Sequence, residues 1–147
     1  MSADVVGSGI ELRLEDARQR LRRLKPSEVS ARVGAGAVLV DIRPLQQRLA
    51  HGEIVDAHVI ERNVLEWRLD PSSGAALPWA DRDLEVIVLC QEGYASSLAA
   101  EALQQVGISA ATDVDGGFAA WKAAGLPWVD ADDRPDGVPG GGSGGGT

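Results

Sequence analysis

Short apolar runs punctuate this chain, separated by stretches with a longer, helical period. Ala37 to Ile42 (AVLVDI), His58 to Glu61 (HVIE), Val86 to Cys90 (VIVLC) and Ala111 to Val114 (ATDV) are rich in valine and isoleucine, and each reads as a buried strand. Helical patterns lie between and around them. PSEVSARVGAG, with Ser27 as its expected N-cap, precedes the first strand and NVLEWRL follows the second; SSLAAEALQQVG follows the third and GFAAWKAAG the fourth. Gly107 and Gly125 stand where helix C-termini need a residue tolerant of positive φ. Strands alternating with helices predict an α/β domain with a mainly parallel sheet covered on both faces. Functional sites in such sheets collect at the carboxyl ends of strands. Cys90 stands at one.

The two ends of the chain differ from this middle. Leu14, Ala17, Leu21 and Leu24 recur at helical spacing leading into and along a basic stretch, RQRLRRLK, and predict an amphipathic helix in an N-terminal extension over residues 1–24, its arginines on a solvated face. Residues 130–147 (DADDRPDGVPGGGSGGGT) have no apolar periodicity and are expected to form a disordered acidic and glycine-rich tail. The folded domain is assigned to residues 25–129.

Composition narrows the function classes. A length of 147 residues and 44% hydrophobic content suit one domain with one real core. A net charge of −8 repels polyanions, so neither nucleic acid nor an anionic membrane is an expected partner. The amino end lacks a basic start followed by a long apolar core, and no later window approaches the ~18 apolar residues of a membrane span. A soluble, cytoplasmic monomer is the expectation. One cysteine forms no internal disulfide, and with only His51 and His58 beside it the set is too small for a structural zinc site. No metal and no cofactor are expected.

The thiol is therefore either packing or chemistry. Gln91, Glu92, Gly93, Tyr94 and Ala95 bridge the third strand to a helix starting near Ser96, so this loop can curl its N–H groups around the sulfur. Gly93 permits the positive φ that such a curl needs. The helix end adds roughly half a positive charge, and together these favour a thiolate, a usable nucleophile near neutrality. The alternative is an inert cysteine at a buried strand end.

Several motifs then fall into one order. VLVDIR, HGEIVDAHVI, VIVLCQEGYASSLAAEAL and DVDGGFAAWKAAGLPW together resemble a single-domain rhodanese. The family's aspartate-x-arginine pair is matched by Asp41 and Arg43, its glycine-x-isoleucine-x-x-alanine segment by Gly52, Ile54 and Ala57, and its closing glycine pair and tryptophan by Gly116, Gly117 and Trp121. The resemblance implies a three-layer α/β/α domain with a mainly parallel five-stranded sheet. It implies that Cys90 carries sulfane sulfur, taken from a small donor such as thiosulfate and passed from a persulfide to an external thiol or other nucleophile. Asp41, Arg43, Gly117 and Trp121 are then structural, and Gln91 to Ser96 with Arg62 surround the substrate.

The sequence also departs from that pattern. Many active rhodaneses carry basic residues in the cysteine loop, whereas this loop has none and holds Glu92. Family members often have a glutamate where Gln47 stands and an arginine where Ala95 stands. Arg43, Arg48 and Arg62 are the replacement cations within reach in sequence, and Trp67 and Trp79 flank a long loop that could wall the entrance. Three function classes remain: a sulfurtransferase or persulfide carrier, a catalytically quiet rhodanese-like binding module, and a phosphatase or arsenate reductase of related fold. The last is disfavoured, because it needs a longer loop ending in an arginine that clamps an oxyanion. A Cys–His protease pairing with His51 or His58 has no further triad signature to support it.

Overall fold

The computed structural model describes residues 7–135. Four parallel strands form one sheet: β1 (Val38–Asp41), β2 (His58–Val59), β3 (Val86–Leu89) and β4 (Thr112–Asp113), in the spatial order β2-β1-β3-β4. The central pair, β1 and β3, is in register from Val38 opposite Val86 to Asp41 opposite Leu89. Beyond β4 a fifth position is marked only by one parallel bridge, Leu24 to Val114. Its bonds are the Leu24 N–H to the Asp113 carbonyl (3.0 Å) and the Asp115 N–H to the Leu24 carbonyl (2.8 Å). The sheet therefore has four strands rather than five, because this edge segment holds its partner at a single residue.

Successive residues of β3 point to opposite sides, and each side has its own core. Val86, Val88 and Cys90 pack with Val40, Leu65 and Leu103, whereas Ile87 and Leu89 pack with Leu39, Phe118 and Trp121. The first core lies under α4 (Leu65–Leu69) and α5 (Ala95–Gln105), the second under α2 (Pro26–Gly34) and α6 (Gly117–Ala123). This is the three-layer α/β/α arrangement. No helix of the described residues is long and apolar enough to cross a membrane.

Other expectations change as well. Lys25, not Ser27, is the N-cap of α2: Pro26 takes the first turn, where its missing N–H costs nothing, and the Glu28 carboxylate accepts from the Lys25 N–H (2.7 Å). The N-terminal helix α1 spans Gly9–Arg18, so Leu14 and Ala17 are its buried face while Leu21 and Leu24 leave it. An unforeseen helix, α3 (Leu45–His51), follows Pro44 and ends at Gly52, whose φ is +107°. It buries none of its residues, so it carries no apolar stripe to read.

The chain is also organised past residue 129. Glu53 and Val129 exchange two backbone hydrogen bonds, and a 3₁₀ turn follows at Ala131–Asp133. Arg134 then pairs with buried Glu53, which Arg48 also holds at 2.8 Å, and donates to the carbonyls of Val55 and Ala57. Burial pushes the Glu53 carboxyl up, but Arg134 and Arg48 outweigh it and hold the group below its ordinary value. Residues 130–135 thus do not belong to a disordered tail, since one guanidinium satisfies a buried carboxylate there. Residues 136–147 lie outside the described residues.

Candidate active site

Cys90 follows β3 directly, at the carboxyl end of the sheet, and its side chain is buried. Two backbone donors converge on its sulfur: the Gly93 N–H at 3.1 Å and the Ser96 N–H at 3.3 Å. The second comes from the first turn of α5, which begins at Ala95, one residue before the expected start. Its N-cap, Tyr94, offers no side-chain acceptor, so the sulfur takes the place of a capping oxygen. Both N–H groups and the helix end thus direct partial positive charge at the sulfur.

The loop is held from below by a second helix end. The Phe118 and Ala119 N–H groups of α6 donate to the carbonyls of Cys90 (2.9 Å) and Gln91 (3.0 Å). Gly117, with φ +62°, lets α6 approach this closely: a Cβ there would overlap the Cys90 carbonyl and lie 2.8 Å from the Gly93 nitrogen. Gly93 itself has φ +89° and faces the Gly116 backbone. Trp121 anchors the far side of α6 by donating from its indole to the Pro127 carbonyl (2.8 Å).

Asp41 and Arg43 form a fully buried pair, with the Arg43 Nε and Nη2 both donating to the carboxylate at 2.8–3.2 Å. Arg43 also donates to the Gly52 carbonyl (2.7 Å) and to the Gln91 side-chain oxygen (2.9 Å), and lies over the Phe118 ring. This pair ties the β1 loop to the cysteine loop. It engages Gln91 structurally and keeps the Arg43 charge away from solvent.

The other proposed cations are turned elsewhere. Arg62 pairs with Glu66 at 2.8 Å on the following turn, and Arg48 with Glu53. Glu92, Tyr94 and Ala95 are exposed on the outer lip of the loop. Trp79 packs against His58 with ring centroids 4.6 Å apart and planes tilted by 45°, and Trp67 is exposed. His58 sits in β2, and His51 ends α3, where its carbonyl accepts from Lys122.

Positive charge reaches the loop from a direction the sequence did not disclose. Arg18, at the end of α1, donates to the Gly93 carbonyl (2.7 Å) and the Ser97 hydroxyl (2.9 Å), and its guanidinium lies 5.7 Å from the Tyr94 ring centroid. Arg23 donates to the same carbonyl at 2.9 Å, to both oxygens of Asp113 (2.9 and 3.1 Å), and to Asp115 (3.2 Å). Buried Asp113 also accepts from the hydroxyls of Ser96 (2.7 Å) and Ser97 (2.8 Å). Burial works against the Arg23 charge, yet Asp113, Asp115 and the Cys90 sulfur outweigh it and raise its pKa. The arginines expected on a solvated face thus include two that grip the cysteine loop. The basic run was the only sequence signal, and it does not say which arginines turn inward.

Comparison with known proteins agrees with this geometry. The rhodanese-like domain family matches residues 25–124. The chain belongs to that family. The rhodanese-like domain is 36% identical over 101 residues to thiosulfate sulfurtransferase GlpE of Stutzerimonas stutzeri, covering 69% of this chain and 84% of that one. Such relatives make this a family of sulfurtransferases. Among solved structures, a Rhodopseudomonas palustris protein of unknown function, described as a possible tyrosine phosphatase, superposes with a TM-score of 0.75. It is 30% identical, over 87% of this chain and 99% of that one. The polysulfide-sulfur transferase homodimer of Wolinella succinogenes shares the fold with a TM-score of 0.67 at 21% identity, over 86% and 91% of the two chains.

Proposed function

We propose that this rhodanese-like domain is a sulfurtransferase that carries sulfane sulfur on Cys90. The observation that carries the reading is the convergence of the Gly93 and Ser96 N–H groups on the sulfur, which suits an anion there before and after loading. In the first half-reaction the Cys90 thiolate attacks the outer sulfur of the donor. A bond forms between Sγ and that sulfur as the donor's own sulfur–sulfur bond breaks, and sulfite or a thiolate leaves with the electron pair. In the second, an acceptor thiolate attacks the outer sulfur of the Cys90 persulfide and the Cys90 thiolate departs. No electrons are gained or lost overall. Because the chain has a single cysteine, no internal thiol takes the sulfur, and the acceptor is an external thiol, small or on a protein, or another nucleophile.

Intact-mass measurement after incubation with thiosulfate, or with a low-molecular-weight persulfide, tests this reading. One added sulfur on Cys90, lost on adding a thiol, is expected. A protein that stays unmodified with both donors would be the binding module instead. The phosphatase alternative, raised by one structural neighbour's description, lacks an arginine at the loop's end, where Ser96 stands and bonds Asp113. Phosphoryl transfer needs cations opposing the equatorial oxygens. Cys90-dependent hydrolysis of p-nitrophenyl phosphate would reverse this assignment.

A further inference from the structure

We propose that Arg23, steadied by Arg18, is the positioning cation of the Cys90 site, replacing from the N-terminal segment the charge that the cysteine loop lacks, and that it makes the site receptive to anionic sulfur compounds. The proposal rests on the sulfurtransferase reading for its substrate class, but its test needs no sulfur transfer. Both arginines precede Lys25, where the family match begins, so they are additions to the matched domain rather than part of it.

Three observations support the assignment. The two guanidiniums donate to one acceptor, the Gly93 carbonyl, and the N–H of that same residue donates to Sγ. Two guanidiniums on that carbonyl fix the Gly93–Tyr94 peptide, which joins, across the Gly93 Cα, the Glu92–Gly93 peptide whose N–H points at the sulfur. Second, Asp113 is fully buried beside the cradle, bonded through Ser96, the residue whose N–H is the second sulfur donor. A buried carboxylate that close opposes any anion on Cys90 unless a cation cancels it, and Arg23 makes two hydrogen bonds to it. Third, the charges at this end are few: Arg18 and Arg23 against Asp113, Asp115 and Glu92. Removing Arg23 takes the guanidinium from buried Asp113, which water does not screen, and leaves Arg18 alone against it and the exposed Asp115 and Glu92.

Cys90 is the only cysteine, so alkylation reports one site. The ratio of its rates with iodoacetate and with neutral iodoacetamide reads the local charge, whereas a loop that has merely loosened changes both rates alike. Arg23→Gln is expected to lower the ratio about fivefold, the factor that corresponds to about 1 kcal/mol of partly screened attraction. Arg23→Lys should keep most of the ratio. Arg13→Gln, which loosens the α1–α5 contact at Glu101 without touching the loop, should keep all of it. Asp115→Asn, at an exposed partner of Arg23, should raise the ratio about twofold, a smaller effect because exposed charges are screened. Equal slowing of both reagents in Arg23→Gln, an equal loss in Arg23→Lys, or an unchanged ratio in Asp115→Asn would each overturn the proposal. If Arg23→Gln does not fold, the Lys and Asn variants decide it. A protein that accepts no sulfur but shows these ratios would lose the sulfurtransferase reading and keep this one.

Discussion

Gly93→Ala is the substitution that most directly separates a built sulfur cradle from an accidental one. Two costs follow from the structure. The residue has φ +89°, and placing an L side chain in left-handed backbone costs about 1–2 kcal/mol. The added Cβ would also lie 2.7 Å from the Gly116 nitrogen and 3.1 Å from its Cα, backbone atoms that cannot swing aside. Overpacking of that kind adds about 1–3 kcal/mol. Gly125→Ala is the matched control, with φ +76° and open space around the new methyl, so only the first cost applies. Urea unfolding followed by tryptophan fluorescence should place Gly93→Ala some 2–5 kcal/mol below wild type and Gly125→Ala about 1–2 kcal/mol below it.

The strain in Gly93→Ala also acts on chemistry, because relieving it moves the N–H that sits 3.1 Å from Sγ. A hydrogen bond to a charged acceptor contributes about 1.5–3 kcal/mol, which is what the sulfur loses with this donor. A less stabilised thiolate is intrinsically more nucleophilic, which returns roughly half of that on a logarithmic scale. The net expectation for the folded protein at neutral pH is a reaction with iodoacetamide slower by about threefold to tenfold. Gly125→Ala should react at the wild-type rate. If Gly93→Ala matches Gly125→Ala in both stability and reactivity, the N–H groups do not hold the sulfur and the cradle argument fails.

Asp41→Ala leaves the buried Arg43 charge without its carboxylate and should cost about 3–5 kcal/mol in denaturant unfolding; adding Arg43→Met should recover part of it, and no recovery would mean that the loss is packing rather than charge. Glu92→Arg or Ala95→Arg places a cation on the exposed lip of a loop that has none, and should lower the KM for thiosulfate more than it raises kcat; unchanged kinetics would show that loop charge is not the limit. Burial, and then the nearby Arg134 charge, hold His58 below its ordinary 6.5, so the unfolded chain takes up the proton first as pH falls. Its contribution to stability is complete above about pH 6.5 and is lost as pH falls below that value, so His58→Gln should flatten the decline in urea midpoint between about pH 7 and 5.5; parallel declines would remove His58 as the cause.

Local pattern revealed what local physics determines. β1 and β3 are buried on both faces, so they appear as continuous valine and isoleucine runs, and the turn at Gly93 and the close approach at Gly116–Gly117 need residues that only glycine supplies cheaply. Helix α3 escaped for the opposite reason: Leu45 and Leu49 face solvent, so its apolar positions describe no buried face. The parallel edge at Leu24 escaped because one bridge has no period.

The charge environment of Cys90 is a different kind of case, because no window around the cysteine contains it. Arg23 meets Asp113 across 90 positions of sequence and Arg18 meets Gly93 across 75. Both contacts exist because α1 packs its Leu14 and Ala17 face against the domain and delivers the end of the helix to the loop. Read alone, the loop QEGYA is acidic and short of cations; in the folded chain the same loop has two guanidiniums on one of its carbonyls. The N–H donors that define a sulfur cradle are therefore written in the cysteine segment, while the cations beside it are brought there by packing. An activity transferred from the loop sequence alone would leave out two of the cations nearest the cradle.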